Sequence, residues 1–259
     1  MGNPLWEDLH MAMDAAYFSQ KAYLLPDDWQ ADLLRSQAKQ ILLNCSRQSG
    51  KSTTISTLAL HTAIYRPKSM IVLLAPGLRQ STELHRKILT TYRVLGKPVA
   101  PDAENKLSLE LENGSRILCL PGTEATVRGI SGVDLLIVEE AARVPDDLYF
   151  SVRPMLATRP HARVVMMSTP FGTRGFFYEA WKSIQRGDSA WQYVEVPAEK
   201  CPRISEDFLE NERRTIGPFW FEQEYHCVFM DAIDSAFRAA DIERMVDKEM
   251  EAWNLNIAL

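Results

Sequence analysis

Short, almost unbroken apolar runs alternate along this chain with longer stretches of helical spacing. That alternation predicts a mainly parallel β-sheet flanked by helices. The runs at 41–45, 70–75, 135–139, 164–168 and 193–196 have the composition of strands buried on both faces. Between the second and third run the pattern changes to strict alternation. Leu107, Leu109 and Leu111 are separated by polar residues, Asn113-Gly114 follows, and 116–120 is apolar again. Asn-Gly favours a tight two-residue turn, so this segment reads as an antiparallel hairpin that either extends the sheet or forms a surface flap. Helical spacing predicts helices over 52–63, 79–95, 145–156 and 174–185.

After Pro197 the character changes. Ser205 followed by Glu206 and Asp207 is a good helix start, running to about 214. Gly217-Pro218 then interrupts the chain before a second helical stretch at 219–228. Two units are expected: an α/β core over 1–197 that includes N-terminal helices, and a small helical lid or linker over 198–259.

Composition narrows the class. With 46% hydrophobic and 24% charged residues over 259 positions, there is ample apolar surface to order the chain. No run reaches the roughly 20 apolar residues of a membrane span. The start, with its acidic Glu7 and Asp8, lacks the layout of a secretory leader. Cys45, Cys119, Cys201 and Cys227 form no C-x-x-C pair, and the reading is four reduced, mostly buried thiols. The net charge of −5 opposes a chain-wide basic surface, although a local basic face can still track phosphates.

The strongest chemical signal is the stretch from Ile41 to Thr53, a buried strand that enters a short loop ending in Gly50-Lys51-Ser52 just before a helix. Backbone N–H groups of such a loop, together with the helix N-terminus, make a concave anion site. Gly50 permits close backbone approach, Lys51 reaches the β- and γ-phosphates, and the Ser52 hydroxyl ligates Mg²⁺. Ser46, Arg47, Gln48, Ser49 and Thr53 complete the nucleotide-binding loop. The usual first glycine is replaced by Cys45, and Arg47 adds a second cation. Downstream, the strand at 135–139 ends in Glu139-Glu140. Glu139 is expected to hold the Mg²⁺ shell, one methylene longer than the usual aspartate and with reach for a water-mediated contact. Glu140 is expected to polarise the attacking water.

With these motifs stand Trp29-Gln30, SRQSGKST at 46–53, LAPGLRQS at 74–81, LPGTEATVRGISGVDLLIVEEA at 120–141, MMSTP at 166–170 and FWFEQEYHCVF at 219–229. In order and spacing the chain resembles, over nearly all its length, the ATPase domain of the large terminase subunits of tailed double-stranded DNA bacteriophages. The resemblance implies a RecA-like (ASCE) P-loop fold and an Mg²⁺-dependent ATP hydrolase that drives double-stranded DNA into a procapsid. It makes Gln30 the adenine-reading glutamine, with Trp29 beside it as a packing residue. It makes Arg128 an arginine finger on the γ-phosphate, from its own subunit or across a ring interface. Ser168 and Thr169 correspond to the motif that couples hydrolysis to movement.

Further implications are a self-assembled ring, pentameric in the family, with the portal protein and small terminase subunit as partners. The expected location is the host cytoplasm, with transient docking on the procapsid and no membrane. Arg79, Lys87, Arg174 and Lys182 are candidate DNA contacts. No second acidic cluster suited to a two-metal nuclease is present, so nuclease activity is not expected from these residues. Two other readings share the motifs. A helicase-like DNA translocase would need a second RecA-like lobe that the last ~60 residues are too few to build. A nucleotide-gated assembly protein with little turnover would not need Glu140.

Overall fold

The computed structural model describes residues 4–121 and 129–231. Three helices open the chain: α1 (Pro4–Met13), α2 (Ala15–Lys21) and α3 (Asp28–Arg35). Then come β1 (Gln40–Cys45), α4 (Lys51–Tyr65), β2 (Met70–Ala75) and α5 (Leu78–Val94). The strands β3 (Pro101–Glu104), β4 (Ser108–Leu111) and β5 (Arg116–Pro121) follow, then β6 (Leu135–Glu139). The chain continues through α6 (Asp146–Val152), β7 (Arg163–Ser168), α7 (Gly175–Gln185), β8 (Gln192–Val196) and α8 (Glu206–Tyr225).

One sheet holds all these strands in the order β3-β4-β5-β2-β6-β7-β1-β8. The stretch from β5 to β8 is parallel throughout, and the β3-β4-β5 margin is antiparallel. Strand residues alternate between two apolar layers, as the two-residue period of a strand requires. Ile41, Leu43, Ile71 and Leu73 face the layer under α4 and α5. Leu42, Val72, Leu74, Leu136 and Val138 face the layer under α6 and α7. Helix α5 buries Leu84, Ile88 and Tyr92 on one stripe and exposes Arg79 and Arg86 on the other, the signature of a helix lying on a sheet.

The hairpin extends the sheet, since β5 pairs in parallel with β2 while β4 folds back on it. Its turn differs from the expected two-residue form. Leu111 N–H donates to Ser115 O at 2.9 Å, so the loop holds Glu112, Asn113 and Gly114, and among these only Gly114 has a left-handed backbone (φ 81). Asn113 is occupied elsewhere. Its Nδ2 donates to Ala63 O and Ile64 O at 2.8 and 3.1 Å and ties the hairpin to the C-terminal end of α4.

The helical segment after β8 begins as expected, with the Ser205 hydroxyl accepting from Phe208 N–H at 3.3 Å. Gly217 (φ 78, ψ 163) breaks α8 into two legs ahead of Pro218. Leu209, Phe221 and Tyr225 form a small apolar cluster with Ala198, apart from the two sheet layers. Among the described residues no helix is long and apolar enough to cross a membrane. The four cysteines are free and buried.

Candidate functional site

Parallel pairing of β6, β7, β1 and β8 brings their carboxyl ends to one edge of the sheet, where ligands of open α/β sheets gather. The loop after β1 bends sharply there. Gln48 (φ 60) and Gly50 (φ 90) both take left-handed backbone conformations, and α4 begins directly at Lys51. A Cβ at Gly50 would stand 2.6 Å from Gln30 Nε2. Glycine is therefore required there twice over, for its φ and for lack of space. Cys45, in the place of the usual glycine, is fully buried, and burial pushes its thiol up to about 12. It serves as a small apolar filler beneath the loop.

Glu140 lines a cavity of about 930 Å³ together with this loop, and Glu139 is buried against Ser52. Ser52 Oγ donates to Glu139 Oε1 at 2.5 Å. The longer glutamate thus reaches the Ser52 hydroxyl directly. Lys51 Nζ lies 3.5 Å from Glu140 Oε1. Burial raises the Glu139 carboxyl above its ordinary range; the Ser52 hydrogen bond opposes this, the neighbouring Glu140 charge adds to it, and Lys87 and Lys51 oppose it. Glu140 has a left-handed backbone (φ 49, ψ 44), uncommon for a non-glycine residue and of the kind that gathers at functional sites. Ser168, fully buried at the end of β7, places its hydroxyl 3.5 Å from Glu140 Oε2. Thr169 is buried beside it.

Gln30 is buried within α3, and both ends of its amide meet the protein. Oε1 accepts from Asp27 N–H at 2.9 Å, and Nε2 donates to Ser49 O at 3.3 Å. It lines a smaller neighbouring cavity of about 230 Å³ together with Tyr23, Leu25 and Pro26. Trp29 packs against the sheet layer, as a packing residue should. Arg128 lies outside the described residues.

Arg47 of the loop and several residues distant from it in sequence complete the cavity. Arg47, exposed for most of its side chain, does not stand free in the loop. Its Nε pairs with Glu224 Oε2 at 2.6 Å, and its N–H donates to Glu224 O at 3.0 Å. The hydrogen bond that Arg47 donates to Glu224 holds its guanidinium above the usual range. Arg143 bridges Glu224 Oε1 at 3.4 Å and Glu140 Oε2 at 3.9 Å, and stacks on Phe171. Arg203 forks onto Asp27 at 2.7 Å through each terminal nitrogen and also donates to Ser49 O at 3.1 Å. Gln80, Ile204, Ser205 and Phe208 line the same cavity. Of the four candidate DNA contacts, Arg79 and Arg174 are exposed and Lys182 lies over the Tyr178 ring. Lys87 instead lines the cavity, which sets it apart from that group.

Known proteins share this architecture. The ATPase domain of the large terminase of Thermus phage P74-26 is similar with a TM-score of 0.73 and 22% identity, covering 82% of this chain and 97% of that one. A large terminase from a thermophilic bacteriophage, solved in complex with ADP, is similar with a TM-score of 0.64 and 11% identity, over 79% of this chain and 54% of that one. The terminase large subunit of Escherichia phage T5 is 26% identical over 204 residues, which is 76% of this chain and 46% of that protein. The chain spans about half the length of the curated relatives it matches. Residues 42–244 match the family model "Terminase large subunit, T4likevirus-type, N-terminal". The match takes in both the loop and the acidic strand end, and the chain belongs to the large terminase subunit family.

Proposed function

We propose that this chain is the ATP-hydrolysing motor portion of a phage DNA-packaging enzyme. The observation that carries the reading is the pairing of Ser52 with Glu139 and of Lys51 with Glu140 beside one cavity that Lys51, Ser52 and Glu140 line. Phosphates of ATP rest on the amides of residues 46–53 and at the N-terminus of α4, with Lys51 neutralising the β- and γ-phosphates. The ADP named with the thermophilic phage relative supports nucleotide binding at such a site.

Ser52 Oγ and Glu139 Oε1 are two hard oxygen donors in contact, Ser52 lining the cavity and Glu139 buried against it, a set that fits a hard divalent cation. Ser52 and Glu139 would hold Mg²⁺, which would supply positive charge to the phosphates of the nucleotide. Glu140 accepts the proton of the attacking water. Its carboxylate is steadied for this by Ser168, Lys51 and Arg143, which approach it from three sides. Gln30 orders the loop through Ser49 and keeps its second amide hydrogen for the adenine edge.

Arg128 supplies the finger on the γ-phosphate, from its own subunit or a neighbouring one. Ser168 and Thr169 pass the change at Glu140 to residues 198–259, which act as the lid. Double-stranded DNA is the moved substrate, with Arg79, Arg174 and Lys182 as candidate contacts. A ring of subunits, the portal protein and the small terminase subunit complete the assembly, in the host cytoplasm and docked on the procapsid. Nuclease activity is not assigned to these residues.

The test is phosphate release by wild type and Glu140→Gln in saturating ATP, with calorimetry on both. Hydrolysis should fall about 10²–10⁴-fold in the variant, the usual share of a positioned general base, while ATP affinity stays within a few-fold. Turnover indifferent to the change would remove Glu140 from the mechanism. A wild type that binds neither ATP nor ADP would end the proposal.

A further inference from the structure

The cavity beside the loop is rich in cations, and nearly all of them already have a partner. Arg47 is matched by Glu224, Arg143 by Glu224 and Glu140, Lys51 by Glu140, and Arg203 by Asp27. Lys87 stands apart. It is half-buried on α5, it lines the same cavity as Lys51 and Ser52, and it forms no salt bridge among the described residues. Helical side chains lean toward the N-terminal end of their helix, and α5 starts at the carboxyl edge of β2. The Lys87 stem therefore leans toward the loop and the acidic pair. Gln80, about two turns earlier on the same face, lines the cavity as well.

Glu139 and Glu140 mark where the terminal phosphate is attacked, whereas Ile204 and Phe208 line the cavity from the segment after β8. An ammonium that lines this cavity and makes no salt bridge among the described residues can pair with an anion that enters it.

We propose that Lys87 is a second lysine of the phosphate site, donating from Nζ to the terminal phosphate of a bound nucleoside triphosphate. This rests on the ATP-binding reading above and adds a contact that a diphosphate cannot make. It also removes Lys87 from the DNA-binding set, because its ammonium shares a cavity with Lys51 and not an exposed face with Arg79.

Lys87→Gln keeps most of the stem and removes the charge. Calorimetry on the full 259-residue chain, with Mg²⁺ present, compares a non-hydrolysable ATP analogue with ADP. The analogue should bind about ten- to a hundredfold more weakly, the scale of one lost charge-assisted hydrogen bond. ADP affinity should stay within about twofold, and Lys87→Arg should recover most of the loss. Lys87→Met reads the same contrast if the glutamine variant does not fold. Equal losses for both nucleotides, no loss for either, or a loss confined to duplex-DNA affinity would each overturn the assignment. A wild type that binds neither nucleotide would bring down the site reading and this inference together, an outcome distinct from a wild type that binds both and a variant that matches it.

Discussion

Alanine at position 50 perturbs the site in a way that can be worked through from its geometry. The new Cβ would lie 2.6 Å from Gln30 Nε2 and 3.3 Å from Arg203 Nη2. Gln30 has little freedom to withdraw, since it is 7% exposed and held at both ends of its amide, by Asp27 N–H and Ser49 O. The left-handed backbone costs alanine roughly 1–2 kcal/mol. Displacing the Gln30 amide costs about 1 kcal/mol more per hydrogen bond lost. Gly50→Ala should therefore destabilise the fold by about 2–4 kcal/mol, the sum of these two effects.

The two parts can be separated. In a Gln30→Ala background the 2.6 Å approach is gone while the backbone cost and the milder approach to Arg203 remain, so the double variant should be more stable than the sum of the singles by about 1 kcal/mol or more. Urea denaturation followed by circular dichroism measures all four stabilities. Additivity within about 0.5 kcal/mol would mean that Gln30 does not press on Gly50, and the packing argument would fail.

Two further outcomes follow from charge and burial. Protonated His226 donates through Nε2 to Glu199 at 2.6 Å and through Nδ1 to Glu222 at 2.9 Å. Burial lowers its pKa, but the two carboxylates outweigh this and hold it above the ordinary 6.5. Its stabilising effect is thus complete below about pH 6.5 and fades as pH rises through the raised value. The stability gap between wild type and His226→Gln should shrink on going from about pH 6 to pH 8, and a gap that widens would refute the pairing. Cys45, Cys119, Cys201 and Cys227 are buried, and burial raises each thiol. Ellman's reagent should react slowly with folded protein and reach four equivalents only in denaturant; prompt labelling of the folded chain would contradict the burial.

Strands β1, β2, β6 and β7 are readable in the sequence because each is buried on both faces and so is apolar along most of its length, whereas β8, expected to be buried on both faces, is an edge strand half open to solvent that carries Gln192 and Glu195. The lateral order that places β6 beside β2 is not written in any local pattern. Strand β3 escapes a reading of apolar runs because Pro101, Asp102, Ala103 and Glu104 form a polar margin strand half open to solvent. The Asn113-Gly114 signal locates the hairpin, but not that the Asn113 side chain is drawn away to the end of α4. At the site, Lys51, Ser52, Glu139 and Glu140 are legible since a strand-loop-helix and an acidic strand end are contiguous motifs. Arg143, Arg203 and Glu224 are not, because their meaning depends on partners far away in sequence, as Arg203 with Asp27 or Arg47 with Glu224. Lys87 reads in sequence as one more charge on a helix, since the face it occupies is visible only once α5 is laid on the sheet.

Those distant ion pairs set a rule for recombining relatives of this chain. A hybrid that takes its portion beyond position 198 from another phage inherits new residues opposite Asp27 and Arg47, on segments it did not exchange. Unless donor and recipient agree at 27, 47, 203 and 224, such a hybrid carries widowed charges beside its own nucleotide loop. Crossover points are therefore better chosen by these partnerships than by the apparent seam between the sheet and the helical tail.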